Sequence, residues 1–217
     1  MESKDQRDAV EPADQLSSRV LGIAAREFAE LGVEGVSMRV LADKCEVSTT
    51  WLYYHFTSKE ALFKESCSHA IEETFRAVLR RLKAFEASER RPELIITAFF
   101  DEWVADRTTL LLVERDVISA LLSPERWLTG SAYHNTLELM KRLYVSYLGS
   151  EPDEDFAFAF ASFMYGFCSL MIIDERALSS GGTPTAADHA AFVARKRESI
   201  ARFAQQMIAG RSARTSV

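Results

Sequence analysis

Between Ser48 and Ser58 the sequence leaves room for only one short helix. A serine before a helix accepts a hydrogen bond from an otherwise unpaired backbone N–H, so both serines predict helix starts. Leu52 and Phe56, four residues apart, form one apolar face between them. The sequence therefore predicts a short helix after Ser48 and a longer one that begins at Lys59.

A second short helix precedes this one. Ser37 is followed by a helical stretch that ends near Cys45, and Glu46 and Val47 leave only a tight turn before Ser48. Two short helices joined by such a turn form a helix-turn-helix, whose second helix enters the DNA major groove. A further helix, from about residue 14 to residue 31 and closed by Gly32, completes a three-helix head.

Residues 18–64 resemble the N-terminal domain of TetR-type transcriptional regulators. The matching segments are AAREFAELG at 24–32, SMRVLA at 37–42, VS at 47–48, LYYHF at 52–56 and SKEAL at 58–62. The resemblance implies that Tyr53, His55 and Lys59 contact phosphates, and that Thr49, Thr50 and Trp51 face base edges. The full set of DNA-contacting residues expected from it is Ser37, Arg39, Ser48, Thr49, Thr50, Trp51, Tyr53, Tyr54, His55 and Lys59.

Two features of the head depart from what a DNA-binding protein of this family usually has. Glu46 takes the place of the turn glycine, and Thr50 with Trp51 replaces a smaller Gly-Thr pair. The head also carries six basic against seven acidic residues between positions 15 and 66, although DNA-binding surfaces are normally basic. These features keep open an alternative, a helical ligand- or partner-binding dimer without DNA binding.

The apolar periodicity of the remaining chain is helical throughout, with no persistent strand pattern. Further helices are predicted at about 58–87, 94–106, 108–122, 131–148, 156–173 and 186–209. We therefore expect an all-α protein of about nine helices. Its expected parts are a disordered tail (1–13), a DNA-binding domain (14–74, motif at about 37–56), a ligand-binding and dimerisation domain (75–210) and a second tail (211–217).

The apolar run that begins at Phe156 and ends at Ile173 contains no charged residue. Its length is at the lower limit for a membrane span, and acidic residues flank it on both sides without basic anchors. A short alternation at its start also suits a strand, but no partner strand is evident. A helix that is apolar nearly all round is buried on both sides. We therefore expect no membrane insertion, and a homodimer formed by this helix and the one from Ala186 to Ala209.

The middle helices carry more aromatic side chains than one packing stripe requires. Resemblance to the family places a small-molecule cavity among the fifth to eighth helices. The candidate ligand-binding residues are Phe99, Trp103, Arg115, Asp116, Trp127, Tyr133, His134 and Tyr165. For each aromatic residue, plain core packing is the alternative.

No catalytic or metal-binding motif accompanies these features. The four histidines lie in different elements, and the sequence lacks Cys-x-x-Cys spacing, a phosphate-binding glycine loop and a nucleophile turn. The N-terminus has no secretory pattern, and three widely spaced cysteines suit a reducing compartment. We expect a cytoplasmic protein without cofactor or enzymatic activity. It should be a repressor that binds a palindromic operator as a homodimer and is released by a small-molecule inducer.

Overall fold

The computed structural model describes residues 13–89, 91–122, 132–149, 166 and 185–212, and these are helical with no strand. Their α-helices are α1 (Ala13–Leu31), α2 (Met38–Cys45), α3 (Thr49–His55), α4 (Lys59–Leu82), α5 (Pro92–Ala105), α6 (Thr108–Leu122), α7 (Ala132–Leu148) and α8 (Ala186–Ser212), with a 3-10 helix at Ala87–Glu89. The predicted all-α class is confirmed. The predicted helix at 156–173 lies outside the described residues except for Gly166, which is helical.

The chain divides into two compact units between Ala70 and Ile71, so α4 contributes residues to both. In the first unit, α1 buries Val20, Ala24 and Phe28. Phe28 meets Phe63 of α4 edge to face, with ring centroids 5.4 Å apart. These contacts join α1 and α4 around the helix-turn-helix.

Two helix ends show how well local signals define boundaries. Gly32 adopts φ +71° and its N–H donates to the carbonyl of Phe28, so the predicted glycine cap closes α1. The expected end of α4 at residue 87 is wrong, because the helix ends at Leu82. The N–H groups of Ala84 and Phe85 donate three residues back, which tightens the backbone into turns. Leu82 is buried while Phe85 is exposed, so the apolar face ends there as well.

In the second unit, α5 packs against α6, α7 and α8, and α6 packs against α7. The central helix α5 buries Ile95, Phe99 and Phe100 almost completely, and α8 contributes Ile200. A bidentate ion pair ties α8 to α5 at the rim, where Arg197 donates to both carboxylate oxygens of Asp101 at 2.8 and 3.1 Å. That hydrogen bond raises the pKa of Arg197 further, so the guanidinium stays charged. None of the helices described by the structure has the length and apolar character needed to cross a membrane.

Candidate nucleic-acid interface

The first helix of the motif, α2, begins at a side-chain cap. Ser37 Oγ accepts a hydrogen bond from the N–H of Val40 at 3.2 Å. The buried face of α2 is formed by Met38, Leu41, Ala42 and Cys45, whereas the apolar side chain of Val40 is 45% exposed. Arg39 lies on the exposed side. The first turn of α2 therefore exposes Arg39. Ser37 caps this helix end, and the buried residues of α2 anchor it.

An arginine from α1 completes the other end of α2. Arg19 Nη1 donates to the carbonyl of Cys45 at 3.0 Å, which satisfies a helix C-terminal carbonyl with a positive charge. Burial raises the pKa of the Cys45 thiol, against the opposing effect of Arg19, so the thiol stays protonated. The sequence analysis missed this role of Arg19, because no local pattern links residues so far apart in the chain.

The turn between the two helices adopts a left-handed conformation at Glu46, with φ 56° and ψ 38°. The N–H of Val47 donates to the carbonyl of Ala42 at 3.0 Å, and that of Glu46 to the carbonyl of Asp43 at 3.2 Å. This pair of bonds is a Schellman motif, whose penultimate residue must be left-handed and is usually glycine. Glu46 therefore tolerates positive φ, at a cost of about 1–2 kcal/mol for a residue with a Cβ.

The second helix, α3, exposes the side opposite its one buried residue. Ser48 Oγ accepts a hydrogen bond from the N–H of Trp51 at 3.0 Å and so caps the helix. Leu52 is completely buried. Thr50 and Tyr54, two residues before and after Leu52, face away from it because successive residues turn by about 100°. Tyr54 is 85% exposed and Tyr53 54%, which makes this side of α3 the most prominent polar-aromatic surface of the first unit.

One flank of α3 is held by stacked rings. Trp51 and His55 lie on the same side of the helix, with ring centroids 4.0 Å apart and planes tilted by 35°. Trp51 also meets the buried Phe56 edge to face at 6.5 Å. Trp51 is consequently half-buried, whereas His55 is exposed. The tryptophan has a fixed orientation on the surface, and the imidazole covers one face of its ring.

Lys59 lies at the start of α4, beside the motif. Ser58 Oγ accepts a hydrogen bond from the N–H of Ala61 at 3.1 Å, which confirms the third predicted serine cap. Lys59 Nζ donates to the carbonyl of Val36 at 3.3 Å, and this bond holds the ammonium between the loop before α2 and the first turn of α4. An ammonium has three donors, and a helix N-terminus also favours an anion, so this corner of the unit suits a phosphate.

The basic residues of the first unit serve partly as structural groups. Lys44 is paired with Glu27 of α1, and Arg19 binds a carbonyl. Arg39 and Lys59 remain as the cations nearest the two serine-capped helix starts. Within the described residues, no cluster of three or more His, Cys, Asp or Glu side chains suits a metal ion.

The candidate ligand-binding residues of the second unit fall into three groups. Phe99 is fully buried, with its ring 4.9 Å from Phe75 of α4 and 5.3 Å from Trp103. Trp103 and Asp116 are half-buried, and Arg115 is exposed. The remaining candidates cannot be compared with the fold: Trp127 and Tyr165 lie outside the described residues, and Tyr133 and His134 belong to α7 but their side chains do not fall within the described set.

The first unit contains the segment that matches a known protein family. Residues 20–66 match the family model described as bacterial regulatory proteins, tetR family. The transcriptional repressor KstR2 of Rhodococcus jostii is 26% identical over 122 residues, or 54% of this chain and 59% of KstR2. The transcriptional activator FasR of Mycolicibacterium smegmatis is 28% identical over 90 residues, or 42% of this chain and 41% of FasR. The chain thus spans only about two fifths to three fifths of these relatives.

Two crystal structures resemble the fold over most of the chain. A protein from Mesorhizobium loti assigned to the TetR family superposes with a TM-score of 0.58 at 20% identity, covering 91% of this chain and 98% of that one. A regulator-like protein from Saccharomonospora viridis, crystallised with choline, gives a TM-score of 0.59 at 17% identity and covers 88% and 96%. At these identities the likeness concerns the fold, and it extends beyond the helix-turn-helix into the second unit.

Proposed function

Since this chain belongs, through residues 20–66, to the TetR family of bacterial regulatory proteins, we propose that it is a ligand-responsive transcriptional repressor. It binds a palindromic operator as a homodimer and leaves the operator when a small molecule binds the second unit. The observation that carries the proposal is α3, a capped helix that turns Thr50 and Tyr54 away from a buried Leu52. Such a function requires the cytoplasm, where the DNA is.

In this proposal α3 lies in the major groove and its neighbours hold the phosphates. Its first turn, with Ser48, Thr49 and Thr50, faces base edges, since the N-terminal residues of a recognition helix do so. Trp51 offers an apolar ring edge suited to a thymine methyl group. The exposed polar groups around this turn bind the backbone: Ser37, Arg39, Tyr53, Tyr54, His55 and Lys59.

The near-neutral charge of the head fits a footprint with few cations. Hydroxyls and helix N-termini bind phosphates without a full positive charge, and both α2 and α4 begin at serine caps beside this surface. If only Arg39 and Lys59 contact phosphates in each head, a dimer releases about four counterions. The logarithm of the binding constant should then fall with a slope of about −4 against the logarithm of salt concentration.

The proposed dimer uses α8 and the helix predicted at 156–173. Ile200 and Ala204 of α8 are buried, while Phe203 on the same helix is 45% exposed, and the second copy covers the exposed part of that ring. Two identical heads related by a two-fold axis require two inverted half-sites about one helical turn apart, or a multiple of it. A palindromic operator follows from that symmetry.

The ligand response is supported by the second unit and by one structural neighbour. The protein from Saccharomonospora viridis holds choline, which shows that a fold of this kind accommodates a small organic molecule. In the present chain, Phe99, Trp103 and Asp116 lie on α5 and α6 of that unit. Because α4 continues from the first unit into the second, it is a direct route by which a bound ligand affects the head.

The direct test is selection of genomic fragments by the purified full-length protein, followed by a gel shift. Enrichment of one inverted repeat is expected. Tyr53→Ala should weaken binding to that repeat by about tenfold for each bound head, because a phosphate hydrogen bond is worth roughly 1–1.5 kcal/mol. Leu31→Ala serves as the control, since Leu31 is 54% exposed in the same unit but outside the proposed surface. Equal binding by the two variants would remove Tyr53 from the DNA face.

The second candidate function is a helical ligand- or partner-binding dimer without DNA affinity. It is favoured by the acidic Glu46 in the turn and by the near-neutral charge of the head. In that case the fragment selection returns no enriched repeat at low salt, while the protein remains a dimer.

Reporter transcription from the enriched fragment, measured with and without the gene, separates repression from activation.

A further inference from the structure

The indole group of Trp103 has a donor that the described part of the protein does not use. Its ring is half-buried and packs against Leu110 of α6, which Leu111 also contacts, and against Phe99 of its own helix. Nε1 itself is inaccessible to solvent, and it has no hydrogen-bond acceptor among the described residues. An indole nitrogen only donates, and leaving a buried donor unpaired costs free energy. This group therefore gains from any acceptor that enters beside it.

The charges next to Trp103 in α5 are already matched. Asp101 is bound by Arg197 of α8, and Glu102 is bound by Arg81 of α4. The carboxylates of the two residues before Trp103 are therefore not available to pair with a cationic ligand group, and burying an ionised group without a partner is strongly unfavourable. A neutral acceptor needs only the single N–H that Trp103 offers.

We propose that Trp103 Nε1–H is the group that recognises the effector, and that the effector is a neutral, largely apolar molecule with a carbonyl oxygen. The ring surface of Trp103 and the side chain of Leu111 bind its apolar part. The N–H then selects carbonyl compounds over hydrocarbons of the same shape. This inference rests on the proposed ligand response, and it names the ligand class for that response.

The test uses pairs of probes that differ only in the carbonyl group: acetophenone with ethylbenzene, and methyl heptyl ketone with nonane. Binding to the full-length protein is measured by calorimetry, without DNA, for the natural chain and for Trp103→Phe, which keeps an aromatic ring but removes the N–H. The variant should weaken ketone binding about fivefold to tenfold, the loss expected for one hydrogen bond, and change hydrocarbon binding much less. Equal losses for both members of each pair would overturn the proposal, as would failure of every ketone to bind.

A second measurement needs no change at Trp103. The chain has three tryptophans, so a uniformly nitrogen-15-labelled sample gives three indole N–H signals, and Trp51→Phe and Trp127→Phe identify the remaining one. The Trp103 proton should move downfield with a ketone and stay in place with the matched hydrocarbon. Benzoate is the charged comparison, and a larger response to it than to acetophenone would refute the neutral class. None of these measurements involves an operator, so they test the proposed ligand class independently of the proposed DNA binding.

Discussion

Replacing Glu46 with glycine should stabilise the helix-turn-helix, although the residue is exposed and forms no side-chain bond described in the structure. Its backbone is left-handed, at φ 56°, because the Schellman motif that closes α2 requires it. A residue with a Cβ pays about 1–2 kcal/mol for that conformation. Glycine adopts it freely, but loses about 0.5–1 kcal/mol more backbone entropy on folding. The net gain should be about 0.5–1 kcal/mol.

Hydrogen exchange is the assay that isolates this effect, since the two units of the chain need not open together. The amides of α2 and α3 should exchange about twofold to fivefold more slowly in Glu46→Gly, the factor that corresponds to the expected free energy. Glu46→Ala is the matched control, because it removes the carboxylate and keeps the Cβ that causes the strain. If the alanine variant slows exchange as much as the glycine variant, the charge and not the backbone is responsible, and the reasoning fails.

Three further predictions concern the caps, the phosphate contacts and the core. Ser48→Ala should destabilise α3 by about 1 kcal/mol, and Ser48→Gly by only a few tenths, measured by the same amide exchange. Lys59→Ala should reduce the salt slope of operator binding by about one unit for each bound head, whereas Lys64→Ala, an exposed lysine of the same helix outside the proposed surface, should leave it unchanged. Phe99→Ala should lower the free energy of unfolding by about 3–5 kcal/mol in urea titration, because a fully buried ring between Phe75 and Trp103 leaves a cavity. A loss below about 1 kcal/mol would mean that Phe99 is not part of a close-packed core.

The sequence was sufficient for several boundaries that depend on neighbouring residues. The caps at Ser37, Ser48 and Ser58 were predicted from a hydroxyl placed before an apolar period, and each accepts the expected N–H. The bounds of α6 were also predicted, since Pro124 follows an uninterrupted helical pattern. The all-α class and the helix-turn-helix follow from the same short-range physics.

Features that depend on distant residues were not predictable in this way. The hydrogen bond from Arg19 to the Cys45 carbonyl joins α1 to α2, and the pair of Asp101 with Arg197 joins α5 to α8. Neither interaction produces a periodic pattern in the sequence. The exposure of Val40 is a further case, because an apolar residue is assigned to a buried face unless the neighbouring helices are known. The same limit applies to the proposed ligand-binding residues, because the unpaired Nε1 of Trp103 is evident only from the packing around it.

The stacked rings of Trp51 and His55 in α3 make Trp51 an intrinsic fluorescence probe. Indole emission is sensitive to a neighbouring imidazole, and Trp51 lies 4.0 Å from His55 between ring centroids. Any event that displaces or shields that imidazole therefore alters the fluorescence of Trp51. Binding of α3 to a partner can then be measured as a change in tryptophan fluorescence without labelling the protein, provided that the two other tryptophans are replaced by phenylalanine.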